Sequence, residues 1–237
     1  MAEHAPPPPS SGPAAGEAAA DAQKEMAAVA AAGLLSDGMS VGLGTGTTVS
    51  HLLPAIAARG LSGLRCVASS PGSEELARSV GLPVVDLEAV QGSLDITIDG
   101  ADQIAPDGWL IKGGGAAHTR EKVIAAAARR FVVIASAAKP VTALSPPVPL
   151  EILPFAGAYV LAALSPTRLR EGPPSPDGNL IGDYLGPVDD PVQLAARLSG
   201  TPGVVEHGLF APDLVSDILI GTAEGVVHRR GARPAAS

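Results

Sequence analysis

The chain reads as an α/β protein whose mostly parallel sheet is covered on both faces, joined to a smaller α+β unit. Three observations predict this. Short Val/Ile/Leu-rich runs alternate with helical segments from Asp21 to Ala135. Glycine-rich loops follow two of those runs. Beyond about Thr142, proline becomes frequent and the apolar runs lose regularity. Strictly alternating strands and helices need crossover connections, and those give parallel pairing.

Residues 21–35 are Ala-rich and read as a helix, with Asp21 as its N-cap. Residues 39–43 read as a buried strand, and residues 49–58 as a helix. Between them lies Gly44-Thr45-Gly46-Thr47-Thr48, a glycine loop that opens onto a helix. Residues 64–68 form a second strand ending at Ser69-Ser70. Residues 73–80 form a helix stopped by Gly81. Strands are expected at 83–87 and 95–98, a helix at 119–130 and a strand at 131–135.

The second unit spans about residues 143–211. Residues 148–153 and 180–184 are expected to pair antiparallel. Asp190 caps a helix that has Pro191 at its first position. Residues 204–210 read as a strand. Residues 216–220 are β-branched and buried in character, and are expected to rejoin the main sheet. The proposed division is therefore 21–142 with 212–230 for the larger domain and 143–211 for the smaller. Residues 1–20, rich in Ala, Pro, Gly and Ser, read as a disordered tail.

Composition narrows the function classes. The 237 residues carry a formal charge of −8, which disfavours a nucleic-acid partner because phosphate backbones need clustered cations. Hydrophobic residues make up 46%, enough for a core, but no apolar run reaches membrane-spanning length. A single cysteine, Cys66, rules out an internal disulfide and fits a reducing, cytoplasmic setting.

The chemistry-bearing residues cluster. The Gly44 to Thr48 loop presents backbone N–H groups, hydroxyls and a helix N-terminus, all suited to a phosphate. It lacks the dinucleotide spacing, and no lysine follows its last glycine, so neither nucleotide motif fits. A tight structural turn is the plainer alternative. Asp99-Gly100-Ala101-Asp102 puts two carboxylates at a strand's C-terminal end, where α/β ligands bind. They could bind sugar hydroxyls or a metal, act as acid and base, or form a solvated turn. No histidine pair or third acid at ligand spacing supports a metal. Lys112-Gly113-Gly114-Gly115 offers a cation and bare amides for a developing oxyanion, or else a hinge. Glu121 lies in the first turn of its helix and can serve as a general base, or simply pair with Arg120 or Lys122. Lys24 and Lys139 would otherwise be read as surface lysines. His51, His118 and His207 receive no role.

These motifs, in this order and spacing, resemble ribose-5-phosphate isomerase of the A type. The resemblance extends through Leu150 to Pro154, Asp177-Gly178-Asn179, Pro202 to Val205, Gly208 to Phe210 and Ile220 to Thr222, covering about residues 21–227. It implies a Rossmann-like domain with a small α+β, ferredoxin-like domain serving as lid and oligomerisation unit. It implies interconversion of ribose 5-phosphate and ribulose 5-phosphate through an enediol(ate), with no cofactor or metal, by a homo-oligomer. Under it, Glu121 is the base, and Lys112 with Gly113 to Gly115 stabilises the oxyanion. Asp99, Gly100, Ala101 and Asp102 bind the sugar. Thr45, Gly46, Thr47 and Thr48 hold the phosphate, supported by Lys24 and Lys139. The chain departs from the pattern at Gln103, where Glu is usual, at residues 135–139, which lack an acid before the lysine, and at a short Pro-rich 166–176.

Two other classes compete. A sugar-phosphate sensor on the same fold would not need Lys112 and Glu121 together. A related enzyme, such as an amino-sugar phosphate deaminase or a CoA transferase, would need a histidine acid/base set or a glutamate nucleophile respectively.

Overall fold

The computed structural model describes residues 13–233. Residues 1–12 of the expected tail lie outside the described residues. Residues 13–20 do not belong to a tail: helix α1 runs Pro13–Ala32. The Ala-rich composition carries helical propensity well upstream of Asp21, enough for the helix to run through Gly16, and Pro13 sits in the first turn, where proline is tolerated. Asp21 is therefore mid-helix, and its carboxylate meets His51 Nε2 at 3.0 Å instead of capping. Ala27, Ala28, Ala31 and Ala32 are buried on one face of α1. Such small side chains let the helix lie close to the sheet. A Cβ on Gly221 would sit 1.8 Å from the Gln23 carbonyl oxygen, so this crossing requires glycine.

The main sheet is built from β1 (Ser40–Leu43), β2 (Arg65–Ala68), β3 (Leu94–Gly100), β6 (Ala128–Ser136), β12 (Asp217–Thr222) and β13 (Gly225–Arg230). Its order is β13-β12-β6-β3-β1-β2, parallel except for β13. Helices α2 (Thr47–Ala57) and α3 (Pro71–Ser79) connect the first strands, and α4 (His118–Ala127) precedes β6. Strand β6 shows why the sheet is buried on both sides. Val132 and Ile134 join the core beneath α1 and α2, whereas Phe131, Val133 and Ala135 join the opposite one. Chain order reverses around β1, which lies between β2 and β3. In open α/β sheets a ligand crevice forms at such a switch point, beyond the strands' carboxyl ends.

Several boundaries differ from expectation. Residues 83–87 form no strand. Only Val84 bridges to Cys66, and a 3-10 turn follows at Leu87–Val90. The α4 helix stops at Ala127 because Ala128 and Arg130 pair with Leu94 and Ile96 of β3. Sheet pairing outweighs the helical propensity of that segment. Residues 204–210 break at Gly208 into two strands in different sheets. The final hairpin strand β13, which lies largely exposed, was not anticipated.

The second sheet has the order β10-β7-β9-β8 and is antiparallel throughout. It comprises β7 (Val148–Ile152), β8 (Thr167–Leu169), β9 (Leu180–Tyr184) and β10 (Val204–His207), with α5 (Gly157–Ala163) and α6 (Pro191–Ser199). The connectivity β-α-β-β-α-β is that of a ferredoxin-like unit. Asp190 caps α6 as expected, accepting from the Gln193 amide. A third, three-stranded ribbon joins β4 (Gln103–Ile104), β5 (Leu110–Ile111) and β11 (Leu209–Phe210). It carries Lys112 immediately after β5. Gln103 has a clear use here: its amide donates to the Ser145 carbonyl at 2.8 Å and accepts the Ser145 N–H at 2.9 Å. A glutamate could not do both.

Candidate active site

Strand periodicity aims the first acid. Ile96 and Ile98 of β3 face the core under α1 and α2, so Thr97 and Asp99 face the other way. Thr97 Oγ1 donates to the Ile124 carbonyl of α4 at 2.8 Å, which fixes that helix over β3. Asp99 is fully buried. Its Oδ1 accepts the Thr45 N–H at 3.1 Å and its own neighbour Gly100 N–H at 2.6 Å. A Cβ on Gly44 would lie 1.9 Å from the Asp99 carboxyl carbon, so the glycine loop exists partly to admit this carboxylate.

Lys112 reaches Asp99 from β5. Its Nζ lies 2.9 Å from Asp99 Oδ2 and donates to the Gly100 carbonyl at 2.6 Å. The same Nζ is 2.9 Å from Glu121 Oε2, an ion pair by distance whose alignment falls outside hydrogen-bond geometry. Both side chains are about 3% exposed. Two carboxylates therefore share one ammonium out of reach of bulk water. Burial works against the Lys112 charge, but Asp99 and Glu121 outweigh it and hold its pKa above the ordinary value. Burial also raises Asp99, against the pull of Lys112 and the two amides. Glu121 is pushed up to about 7, first by burial and then by the Asp99 charge, with Lys112 opposing. A carboxylate that titrates near neutrality is suited to both taking and returning a proton.

The glycine turn completes one wall. Gly113 has φ 103°, and a Cβ there would also meet the buried His118 ring at 2.8 Å. The Gly114 N–H donates to Asp102 Oδ2 at 2.8 Å. His118 itself is driven down to about 3 by burial and by the nearby Lys122 charge, so its ring is neutral packing. On the opposite wall, α2 begins at Thr47 with Gly46 at the cap position and no side chain bonded to its first amides. Those unfilled donors, with the helix dipole, make an anion seat.

One polar pocket of about 80 Å³ is lined by Thr45, Gly46, Thr47, Thr48, Gly100, Ala101, Asp102, Lys112, Gly113, Gly114, Gly115, Glu121 and Lys139. Asp99 lies directly beneath it, bonded to Lys112. Lys24 also lies off the pocket lining, and its Nζ is 3.8 Å from Asp21. A roomier groove of about 410 Å³ behind α3 and α4 contains none of these groups. No cluster of His, Cys, Asp and Glu suited to a metal occurs among the described residues.

Sequence reading missed the supports of helix α4. Thr119 Oγ1 donates to the buried Glu151 carboxylate, which also accepts from Ser175 Oγ at 2.7 Å and Asn179 Nδ2 at 2.8 Å. Arg120 pairs with Asp177 at 2.7 Å, and Lys122 with Glu206 at 2.7 Å. Each neighbour of Glu121 is thus held by the second sheet or its loops. The separations along the chain, from 32 to 84 residues, leave no local signal for these pairs.

Comparison with known proteins gives one consistent result. The family model described as ribose 5-phosphate isomerase A (phosphoriboisomerase A) matches residues 65–225. A ribose-5-phosphate isomerase A of Caulobacter vibrioides is 46% identical over 223 residues, covering 88% of this chain and 97% of that protein. The crystal structure of ribose 5 phosphate isomerase A from Neisseria gonorrhoeae superimposes with a TM-score of 0.85 at 34% identity, covering 90% of this chain and 98% of that one. A D-ribose-5-phosphate isomerase solved in complex with phospho-erythronic acid gives 0.82 at 35% identity, over 87% and 97%.

Proposed function

We propose that in this chain, which belongs to the ribose-5-phosphate isomerase A family, Glu121 is the base that moves the substrate proton and Lys112 carries the compensating charge. The enzyme interconverts ribose 5-phosphate and ribulose 5-phosphate in the pentose phosphate pathway. The observation that carries the assignment is the buried Glu121–Lys112–Asp99 cluster bordering a pocket whose far wall is a helix N-terminus.

The steps follow from the chemistry. The Glu121 carboxylate takes the C2 proton of the open-chain aldose, the C2–H electrons form the C1–C2 double bond, and negative charge moves onto the C1 oxygen. Lys112 and the glycine amides stabilise that oxygen. The C2 hydroxyl proton then passes to the C1 oxygen, the carbonyl forms at C2, and protonated Glu121 returns its proton to C1. The C1 oxygen ends as a hydroxyl, so protons and charge balance. Asp102, on the pocket wall, binds sugar hydroxyls and assists ring opening, while Asp99, buried beneath it, holds Lys112 in place. Thr45 to Thr48 and Lys139 bind the phosphate, far enough from the reacting carbons to supply orientation. A relative's complex with phospho-erythronic acid supports an analogue test here, because the acid's carboxylate mimics the enediolate.

The test is Glu121→Gln. Turnover of ribose 5-phosphate is expected to fall by at least about 100-fold, while phospho-erythronic acid still binds. Near-normal turnover would reassign the base.

Residues 21–142 with 212–230 are assigned as the catalytic domain and 143–211 as a lid and oligomerisation domain. The exposed Leu153, Phe155 and Tyr159 near α5 form an apolar face suited to a second copy. A monomer in analytical ultracentrifugation would remove that role. No helix among the described residues is long and apolar enough to cross a membrane. The lone buried Cys66 supports a cytoplasmic setting, which fractionation of the producing cells would check.

A further inference from the structure

The glycine turn has an external anchor that no local motif announces. Arg170, just past β8, donates through Nη1 to the Gly113 and Gly114 carbonyls, each at 3.1 Å. Its other nitrogens pair with Asp183 of β9, at 2.6 Å from Nη2 and 3.1 Å from Nε. The guanidinium is about a quarter exposed, and Asp183 is buried. The fork is therefore fixed by one carboxylate and applied to two successive peptide oxygens.

The consequence follows from peptide geometry. In a trans peptide the carbonyl oxygen and the next residue's N–H point in opposite directions. Holding the Gly113 and Gly114 oxygens toward Arg170 turns the Gly114 and Gly115 N–H groups the other way, into the pocket. The Gly114 N–H does go to Asp102 Oδ2 on that side. The Gly115 N–H has no protein acceptor among the described residues, and Gly115 lines the pocket. Glycine peptides rotate readily, so three in succession would not keep this orientation unaided.

We propose that Arg170, braced by Asp183, is a positioning residue that aims the Gly115 amide at the reacting oxygen and the Gly114 amide at Asp102. It touches no substrate and works by fixing which face the turn presents. This rests on the assignment of the pocket given above. It also couples the small sheet to the chemistry: displacing β8 and β9 would release the turn.

The test uses Arg170→Ala and Arg170→Lys in the full chain, assayed with ribose 5-phosphate and inhibited by phospho-erythronic acid or inorganic phosphate. For Arg170→Ala, kcat should drop about 10- to 100-fold, as expected when oxyanion donors are misdirected. KM should stay within about threefold, because phosphate binding supplies most of the ground-state affinity. Phospho-erythronic acid should weaken by a factor similar to kcat, and inorganic phosphate should be unaffected. Arg170→Lys should also lose kcat, since one ammonium cannot span both carbonyls and Asp183. It serves in place of the alanine variant if that one fails to fold. Low millimolar guanidinium should partly restore Arg170→Ala. The proposal is overturned if folded variants keep kcat within about twofold of the parent, if lysine restores it fully, or if inorganic phosphate weakens as much as the acid. A Glu121→Gln enzyme that still turns over would instead sink the site assignment, whatever Arg170 does.

Discussion

Glu121 should leave a signature in stability as well as in rate. Burial and the Asp99 charge raise it from 4.5 to about 7. Between those two values the folded protein holds a proton that the unfolded chain has already released. Raising the pH through this window therefore favours unfolding, and the loss is complete above the folded-state pKa. A shift of this size is worth at most about 3 kcal/mol. The perturbation is Glu121→Gln, which keeps shape and removes the titration. Urea unfolding of both proteins from pH 5 to pH 8 gives the difference in stability, in which groups remote from the site cancel and the titration of the Glu121–Asp99–Lys112 cluster remains. The parent should lose about 2 kcal/mol relative to the variant between pH 5 and pH 7, with the small remainder lost between pH 7 and pH 8. The same titration should appear in the kinetics, with kcat/KM rising about tenfold per pH unit below 7 and levelling above. A difference that stays flat, or in which the parent gains relative to the variant as pH rises, would show that Lys112 holds Glu121 low. The physical case for a neutral-range base would then fail.

Three further outcomes follow. Lys112→Met should lower kcat by at least about 100-fold, because it removes the charge opposite the enediolate and leaves Asp99 and Glu121 facing each other unneutralised; near-normal steady-state kinetics would move the oxyanion role elsewhere. Gly44→Ala should destabilise the protein by about 2 kcal/mol or more and abolish activity, since its Cβ would sit 1.9 Å from the Asp99 carboxyl carbon, which is buried and tethered; an unchanged melting temperature would contradict that packing. Activity should withstand exhaustive chelation, because Lys112 supplies the charge a metal would otherwise provide; a loss reversed only by adding back a metal would refute this.

What could be read in advance divides along physical lines. The switch-point loops were legible because their residues are adjacent in sequence: Gly44 to Thr48, Asp99 to Asp102 and Lys112 to Gly115 each signal locally. The parallel core was legible from β-branched runs such as those of β6 and β12. Boundaries failed where pairing overrode propensity, as when β3 drew Ala128 to Arg130 out of the predicted helix. The break at Gly208 was invisible because it arises from two distant partners: its N–H goes to the Pro149 carbonyl and its own carbonyl accepts the Lys112 N–H. The supports of the site were equally silent. Glu151 and Asp183 sit in strands and Arg170 in the loop just past β8, and only the closed fold brings Arg170 to the glycine turn and Glu151 to Thr119. Lys24 marks the converse case, since the resemblance pointed to it and the pocket lining does not include it.

The most direct measurement follows the hydrogen itself. Ribose 5-phosphate carrying deuterium at C2 is incubated with the parent and with Glu121→Gln, and the label at C1 of the product and in solvent is followed by NMR. The account predicts that the parent moves label from C2 to C1 with some washout to solvent, and that the glutamine variant does neither while still binding phospho-erythronic acid. Label leaving C2 at the parent's rate in the variant would contradict it, because another group would then be handling the hydrogen.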